Sequence, residues 1–419
     1  MPRALPAAKR PLDARLRAPG SKSVTHRALV AAALADGRST ISGSLDATDI
    51  GVTVSGLSAL GVTVEQRPGD VVVEGCGGRL AGGAILDLKE SGTSLRLLAA
   101  VAALGREPSR LDGTDRLRDR PLAPLCRALR TLGATVTGDE LPLTVGGTAF
   151  HGGDVRVAGS PSSQFASALM SIGPSLPGGV NLQVEEPAVS LPYVELTASV
   201  MRTFGVNVTR TGPLAWSIPE SSYVATAYTV EGDHSSSSYF LAAPLIAAGR
   251  VRVHNLDPSS DQPDSRLASI LERMGAGVER GDDWIEVRGS GQVRAFDVSL
   301  AEAPDLVPTV AVLALFADGP STIRDVPHLR VKESDRLRQL AVNLNRLGRD
   351  AEVHDDRIEI REGRSEPRDR TIETAGDHRI AMAFALAGLR IDDLQVDDPA
   401  CVAKSYPDFW RDWGAMLKR

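Results

Sequence analysis

Pro19-Gly20-Ser21-Lys22-Ser23-Val24-Thr25-His26-Arg27 runs directly into Ala28-Leu29-Val30-Ala31-Ala32-Ala33-Leu34. The Pro-Gly pair stops whatever precedes it. Hydroxyls and two cations follow, then an Ala/Leu run with no polar side, closed by Asp36-Gly37. The pattern predicts a helix whose first turn carries polar chemistry and whose body is buried all round. A helix N-terminus offers unpaired N–H groups and the positive end of a dipole, and Lys22 and Arg27 add charge of the same sign, so this is a site for anions.

One such helix is more often plain core than a site, but the pattern recurs. Glu90-Ser91-Gly92-Thr93-Ser94-Leu95-Arg96, Ser162-Ser163-Gln164, Asp233-His234-Ser235-Ser236, Asp305 and Asp377-His378-Arg379 each precede a similar apolar run. Positions 22, 92, 163, 235, 305 and 378 are separated by 70, 71, 72, 70 and 73 residues. A second mark keeps the same beat, an amphipathic helix ending in glycine. It occurs at Leu60-Gly61, Leu132-Gly133, Phe204-Gly205, Met274-Gly275 and Leu347-Gly348, with Trp413-Gly414 as a truncated sixth. The glycine suits the left-handed residue that closes a helix.

A fixed period of this size defines the architecture. The chain is read as α/β, six βαβαββ repeats, three per domain. The polar groups that differ between copies all fall at the N-terminus of the buried helix, so packing the copies around an axis gathers them. The polar stretch Ser221-Ser222-Tyr223-Val224-Ala225-Thr226 lies near the three-plus-three midpoint. Domains are therefore expected at 15–225 and at 1–14 with 226–419. The sixth repeat stops at Arg419 without a closing hairpin, and the N-terminal strand is expected to complete that domain's sheet.

With 419 residues and 42% hydrophobic content the chain is long enough for two cores. The net charge of −6 argues against a nucleic-acid protein. No apolar stretch is long enough to span a membrane, and Met1-Pro2-Arg3 opens no signal peptide. A cytoplasmic monomer without nucleic-acid or membrane partners is expected. Cys76, Cys126 and Cys401 are scattered, which suggests neither disulfides nor a zinc cluster. No Walker loop, dinucleotide fingerprint or metal-ligand spacing occurs, so no cofactor and no metal are expected.

Six lysines stand against 41 arginines. Arginine keeps its proton in a protein, whereas lysine is a compact charge that can release one. Three of the six, Lys22, Lys332 and Lys404, fall in dense polar clusters. The candidate site thus holds Lys22, Arg27, Arg96, Arg120, Lys332, Arg336, Arg379 and Lys404. With them stand Ser23, Ser162, Ser163, Gln164 and Ser190 and only two acids, Asp305 and Glu333. So many cations repel one another unless the ligands carry several negative charges; two substrates bearing phosphate and carboxylate would balance them.

Pro19-Gly20-Ser21-Lys22-Ser23, Ser162-Ser163-Gln164, Arg330-Val331-Lys332-Glu333-Ser334-Asp335-Arg336-Leu337, Asp377-His378-Arg379 and Ala403-Lys404 resemble the enolpyruvyl transferase family along the whole chain. The resemblance implies a two-domain inside-out α/β barrel. It also implies transfer of the enolpyruvyl group of phosphoenolpyruvate to the 5-hydroxyl of shikimate 3-phosphate, by addition and elimination in a closed cleft between the domains. Carried over by position, shikimate 3-phosphate falls to Lys22, Ser23, Arg27, Ser162, Ser163, Gln164, Ser190, Asp305 and Lys332. Phosphoenolpyruvate falls to Lys22, Gly92, Arg120, Gln164, Arg336, Arg379 and Lys404. Asp305, Glu333, Lys404 and Lys22 are the implied catalytic groups, with Asp305 the base at the 5-hydroxyl and Glu333 with Lys404 exchanging protons at the methylene carbon.

The chain departs from the family pattern at His26 and His328, where asparagine is usual, and at Glu90-Ser91, where Asn-Ala is usual. Both histidines keep a donor but introduce a group that can titrate. The alternatives are the sister reaction on UDP-N-acetylglucosamine and a non-catalytic anion-binding homologue. Asp115 occupies the place where the sister branch carries a cysteine, and a relic would be expected to have lost Asp305, Glu333 or Lys404.

Overall fold

The computed structural model describes residues 1–147, 149–363, 367 and 369–418; Arg419, where the sequence reading ends the sixth repeat, lies outside them. The chain forms two compact units, Gly20–Val230 and Met1–Pro19 with Glu231–Arg419. The sequence reading put the boundaries after residues 14 and 225, each five residues earlier. Strand pairing accounts for the shift. Leu12–Arg17 pairs along its whole length with Gly249–His254, and Ala227–Thr229 pairs with Asp36–Ser42.

The unit Gly20–Val230 holds three four-stranded sheets. In the second sheet, Ile85–Asp87 runs parallel to Ser109–Asp112, which is antiparallel to Leu143–Gly146, which is antiparallel to Thr135–Thr137. The third repeats this order with Gly153–Ala158, Val180–Glu185, Ala215–Ile218 and Thr209–Gly212. The first repeats it with Asp36–Ser42, Asp70–Cys76 and Thr63–Arg67, but borrows its parallel leading strand, Ala227–Thr229, from the end of the unit. Along Val180–Glu185 burial alternates residue by residue, so one sheet face is solvated and the other packs inward. The inward faces meet three buried helices, Lys22–Leu34, Gly92–Ala103 and Gln164–Ile172, which pack on one another. Helices inside and sheets outside make the inside-out arrangement. It also explains why these helices carry no polar stripe.

The second unit follows the same plan. Its buried helices are His234–Ala247, Val307–Ala314 and His378–Gly388. Two sheets are four-stranded, and the parallel leading strand of the first is Leu12–Arg17. The third has only Thr371–Ile372, Gln395–Val396 and the antiparallel Arg3–Ala4. The N-terminal segment therefore serves two sheets, a two-residue strand completing the sixth repeat and a six-residue strand leading the fourth. Gly61, Gly133, Gly205, Gly275 and Gly348 all take positive φ, between 84° and 106°, as helix-closing residues do. Gly414 does not, because it lies inside the helix Phe409–Lys418; among the described residues the sixth repeat shows no counterpart of that mark.

Candidate active site

Each repeat delivers its polar residues at the start of its buried helix. Lys22, Gly92 and Gln164 are the first residues of their helices. Asp305 sits in the turn Pro304–Leu306 that leads into Val307–Ala314, and Arg379 is the second residue of its helix, capped by Asp377, which accepts from the Arg379 N–H at 3.0 Å.

In the unit Gly20–Val230 two groupings form. The first surrounds Arg27, which is buried. Its guanidinium donates to Thr197 Oγ1 at 2.7 Å, to Ser167 Oγ and the Tyr193 carbonyl, both at 3.2 Å, and to the Ser23 carbonyl at 2.9 Å. Among the described residues its hydrogen-bond partners are all neutral oxygens, and the Tyr193 ring lies 5.9 Å from it. Burial pushes the Arg27 guanidinium down to about 10, still a cation at neutral pH. Lys22 is steered by Asp49, whose Oδ2 lies 3.1 Å from its Nζ.

The second grouping surrounds Gly92. A Cβ at this position would stand 2.1 Å from Arg120 Nη1 and 2.6 Å from Arg96 Nη1, so only glycine lets the two guanidiniums approach the helix start. Arg96 is fixed by the carbonyls of Gly92 and Pro121, each at 2.9 Å. Gln164 donates to Thr93 Oγ1 at 2.9 Å and its backbone N–H to Ser162 Oγ at 3.2 Å, which ties the second and third helix starts together. Its Oε1 is buried with no partner among the described residues, and so is Ser190 Oγ, on a residue held at φ 56°. An orphaned acceptor and an orphaned hydroxyl, one on strained backbone, are what a site awaiting a polar ligand contains. Ser162 and Ser163 are buried beside them, and Ser23 is half-buried.

In the other unit Arg336 is the hub. It is 1% exposed and meets three carboxylates, Glu333 at 2.7 Å, Asp377 at 2.8 Å and Asp305 at 3.1 Å. Ser334 donates a further bond to Asp377 at 2.9 Å. Arg379 donates to the other oxygen of Asp305 at 2.7 Å. Burial alone would raise the Asp305 carboxyl, but Arg379, Arg336 and Lys332 together hold it at about 2. For Arg336 and Arg379 burial opposes the charge and the surrounding carboxylates overcome it, so both are raised. Lys404 ends the turn Pro399–Lys404 and is buried. Lys332 lies just before the helix Arg336–Arg346 rather than in its first turn.

His26 and His328 are both buried, and burial pushes each down to about 3. They are neutral in the working range, so the titration that their presence suggested does not occur there. Two residues that the sequence reading did not assign to the site anchor its cations: Asp49 holds Lys22 and Asp377 holds Arg336. The signal for Asp377 was its place beside His378-Arg379; Asp49 had none beyond a loop of small residues. Among the described residues one trio of metal-ligating type occurs, Glu352, His354 and Glu359; it is partly exposed, contains none of the site residues, and its glutamates are already engaged by Arg357 and Arg361.

The sequence model of the EPSP synthase (3-phosphoshikimate 1-carboxyvinyltransferase) family matches residues 6–413. A 3-phosphoshikimate 1-carboxyvinyltransferase of Syntrophobacter fumaroxidans is 44% identical over 95% of this chain and 96% of its own. One of Nostoc punctiforme is 39% identical over 99% of both. Among solved structures, an EPSP synthase of Acinetobacter baumannii superposes with a TM-score of 0.81 at 27% identity, covering 99% of this chain and 97% of its own. The enolpyruvyl transferase NikO of Streptomyces tendae shares the fold, with a TM-score of 0.78 at 19% identity and coverage of 99% and 97%.

Proposed function

Because the chain belongs to the EPSP synthase (3-phosphoshikimate 1-carboxyvinyltransferase) family, we propose that its three polar groupings serve one reaction on one pair of substrates. The reaction transfers the enolpyruvyl group of phosphoenolpyruvate to the 5-hydroxyl of shikimate 3-phosphate, giving 5-enolpyruvylshikimate 3-phosphate and phosphate. It belongs to the shikimate pathway, which leads to chorismate and the aromatic amino acids. The sister reaction on UDP-N-acetylglucosamine is not favoured.

The observation that carries the assignment of roles is Asp305, a carboxylate held between Arg336 and Arg379. A base and the cations for an anionic substrate share one place, as addition to an anionic enol phosphate requires. Asp305 takes the proton of the 5-hydroxyl as that oxygen bonds to the central carbon of phosphoenolpyruvate. Glu333, assisted by Lys404, supplies a proton to the methylene carbon, which becomes a methyl group. In the tetrahedral intermediate the methyl group returns a proton to Glu333 and Lys404, the C–O bond to phosphate breaks to restore the double bond, and the proton held by Asp305 leaves with the phosphate. Atoms and charges balance without a cofactor.

Shikimate 3-phosphate is assigned to Lys22, Ser23, Arg27, Ser162, Ser163, Gln164, Ser190, Asp305 and Lys332. Phosphoenolpyruvate is assigned to Lys22, Gly92, Arg120, Gln164, Arg336, Arg379 and Lys404. The desolvated Arg27, with neutral oxygens for partners, supports the first set; the guanidiniums crowded on Gly92 support the second. This reading takes the protein as a cytoplasmic monomer; among the described residues no helix is long and apolar enough to cross a membrane.

Phosphate release from phosphoenolpyruvate tests the reading, with shikimate 3-phosphate in one reaction and UDP-N-acetylglucosamine in another. Release with the first alone is expected. Release with the second alone, or with neither, overturns it.

A further inference from the structure

Four polar side chains, His26, Thr53, Ser94 and Ser91, lie at 0–1% exposure inside the unit Gly20–Val230. They form one chain of hydrogen bonds. His26 Nδ1 is 2.8 Å from Thr53 Oγ1, Thr53 Oγ1 is 2.8 Å from Ser94 Oγ, and Ser94 Oγ is 2.7 Å from Ser91 Oγ. Ser94 Oγ also donates to the Asp49 carbonyl at 3.3 Å, and Ser91 Oγ accepts from the Ser94 N–H at 3.4 Å.

The proton inventory has one consistent solution. Ser94 spends its proton on the Asp49 carbonyl, so its oxygen accepts from both Thr53 and Ser91. Thr53 then accepts from His26, which carries its proton on Nδ1. His26 Nε2, buried without a partner, is left as a bare acceptor, a cheaper orphan than an N–H. The burial that keeps His26 neutral keeps this tautomer available.

The two ends of the chain matter. At one end His26 belongs to the helix that starts at Lys22, and on the way Ser94 grips the backbone of Asp49, whose carboxylate holds Lys22. At the other, Ser91 caps the helix whose first residue is Gly92, the glycine against which Arg120 and Arg96 pack without space for one added carbon. Arg27 is outside the chain, since it is held by Thr197, Ser167, Tyr193 and Ser23.

We propose that the His26–Thr53–Ser94–Ser91 chain is a positioning device for phosphoenolpyruvate, fixing the Gly92 helix start and its arginines relative to Lys22 while leaving the shikimate 3-phosphate contacts of Arg27 untouched. The inference rests on the assignment of substrates given above. His26 and Ser91 thereby become determinants of one substrate's affinity without touching it. The three hydroxyls of the network are all satisfied, and such a chain holds geometry; removing one link orphans the next.

The test is steady-state kinetics of His26→Leu, His26→Asn and Ser91→Ala beside the wild type, with thermal melts. His26→Leu is expected to raise KM for phosphoenolpyruvate at least tenfold and KM for shikimate 3-phosphate less than twofold. His26→Asn places an amide nitrogen at the branch position of Nδ1 and is expected to recover most of the loss. Ser91→Ala, at the other end of the chain, is expected to show the same split in smaller measure with the modest fall in melting temperature of a lost helix cap, and decides the matter if His26→Leu does not fold. Equal rises in both KM values, or a lowered melting temperature with both KM values unchanged, would overturn the proposal. A wild type that does not turn over these substrates would count against the functional reading instead, since the comparison presupposes an active parent.

Discussion

Arg27 and Arg336 are equally removed from water, yet their charges are handled in opposite ways. Arg27, in the unit Gly20–Val230, is surrounded by hydroxyl and carbonyl oxygens and its pKa is pushed down to about 10 by burial. Arg336, in the other unit, meets three carboxylates that overcome the same burial and raise it. A guanidinium solvated by dipoles alone keeps most of its attraction for an incoming anion and is already positioned for it. A guanidinium paired with Asp305 has a carboxylate partner to exchange for that of an incoming substrate, and on the proposed assignment that partner is the base. On the proposed assignment the first unit mainly holds an anion, with Lys22 paired to Asp49, and the second couples anion binding to proton transfer.

The largest expected effect comes from breaking the compensated side. Arg336→Ala leaves Asp377, which is fully buried, without its cation. Breaking a buried pair by removing one partner costs about 3–5 kcal/mol, so the urea midpoint should fall markedly and activity should vanish. An unchanged midpoint would show that the carboxylates do not depend on Arg336.

Next comes the dipole-solvated side. Arg27→Ala removes one charged hydrogen-bonding group, a loss of roughly 10- to 150-fold in affinity for shikimate 3-phosphate. Little stability should be lost, because Thr197 and Ser167 already bond each other at 2.8 Å. KM for phosphoenolpyruvate should stay within a few fold. Equal effects on both substrates would refute the division.

The most gradual effect lies in the pH dependence of stability. His26 and His328, one in each unit, are held by burial at about 3 in the folded protein, against an ordinary histidine value of about 6.5. A depressed histidine pKa means that the unfolded chain takes up the proton first. Stability is therefore complete above pH 6.5 and falls as pH drops toward 3, by about 1.4 kcal/mol per pH unit for each histidine. Asp305, held at about 2, adds to the loss only below about pH 4. Urea midpoints between pH 7 and 4.5 should decline more steeply for the wild type than for His26→Asn or His328→Asn. Parallel slopes would contradict the neutral, buried state of both rings.

Much of this was legible in the sequence because repetition makes weak signals add. A single Ser-Lys-Ser before an Ala/Leu run says little, but six helix starts at intervals of 70 to 73 residues say where the site must be. The helix-closing glycines were legible for the same reason, and Gly414 was misread because a lone glycine can also sit inside a helix. The strands that change units were harder. Leu12–Arg17 alternates like any half-buried strand, and nothing in its residues says that Gly249–His254 is its neighbour rather than Asp36–Ser42. Asp49 and Asp377 escaped assignment because an anchoring acid is defined by the cation it meets, and that meeting spans 27 residues in one case and 41 in the other. The bond network of His26 was hidden for the same reason.

The account stands or falls on Asp305. The direct measurement is phosphate release by Asp305→Ala with both substrates saturating, together with equilibrium binding of shikimate 3-phosphate to the same protein. Retained binding with turnover slowed about 10²–10⁴-fold, the range for a lost acid–base group, is the predicted result. A rate near that of the wild type would contradict the assignment of the base, and with it the coupling of anion binding to proton transfer in the second unit.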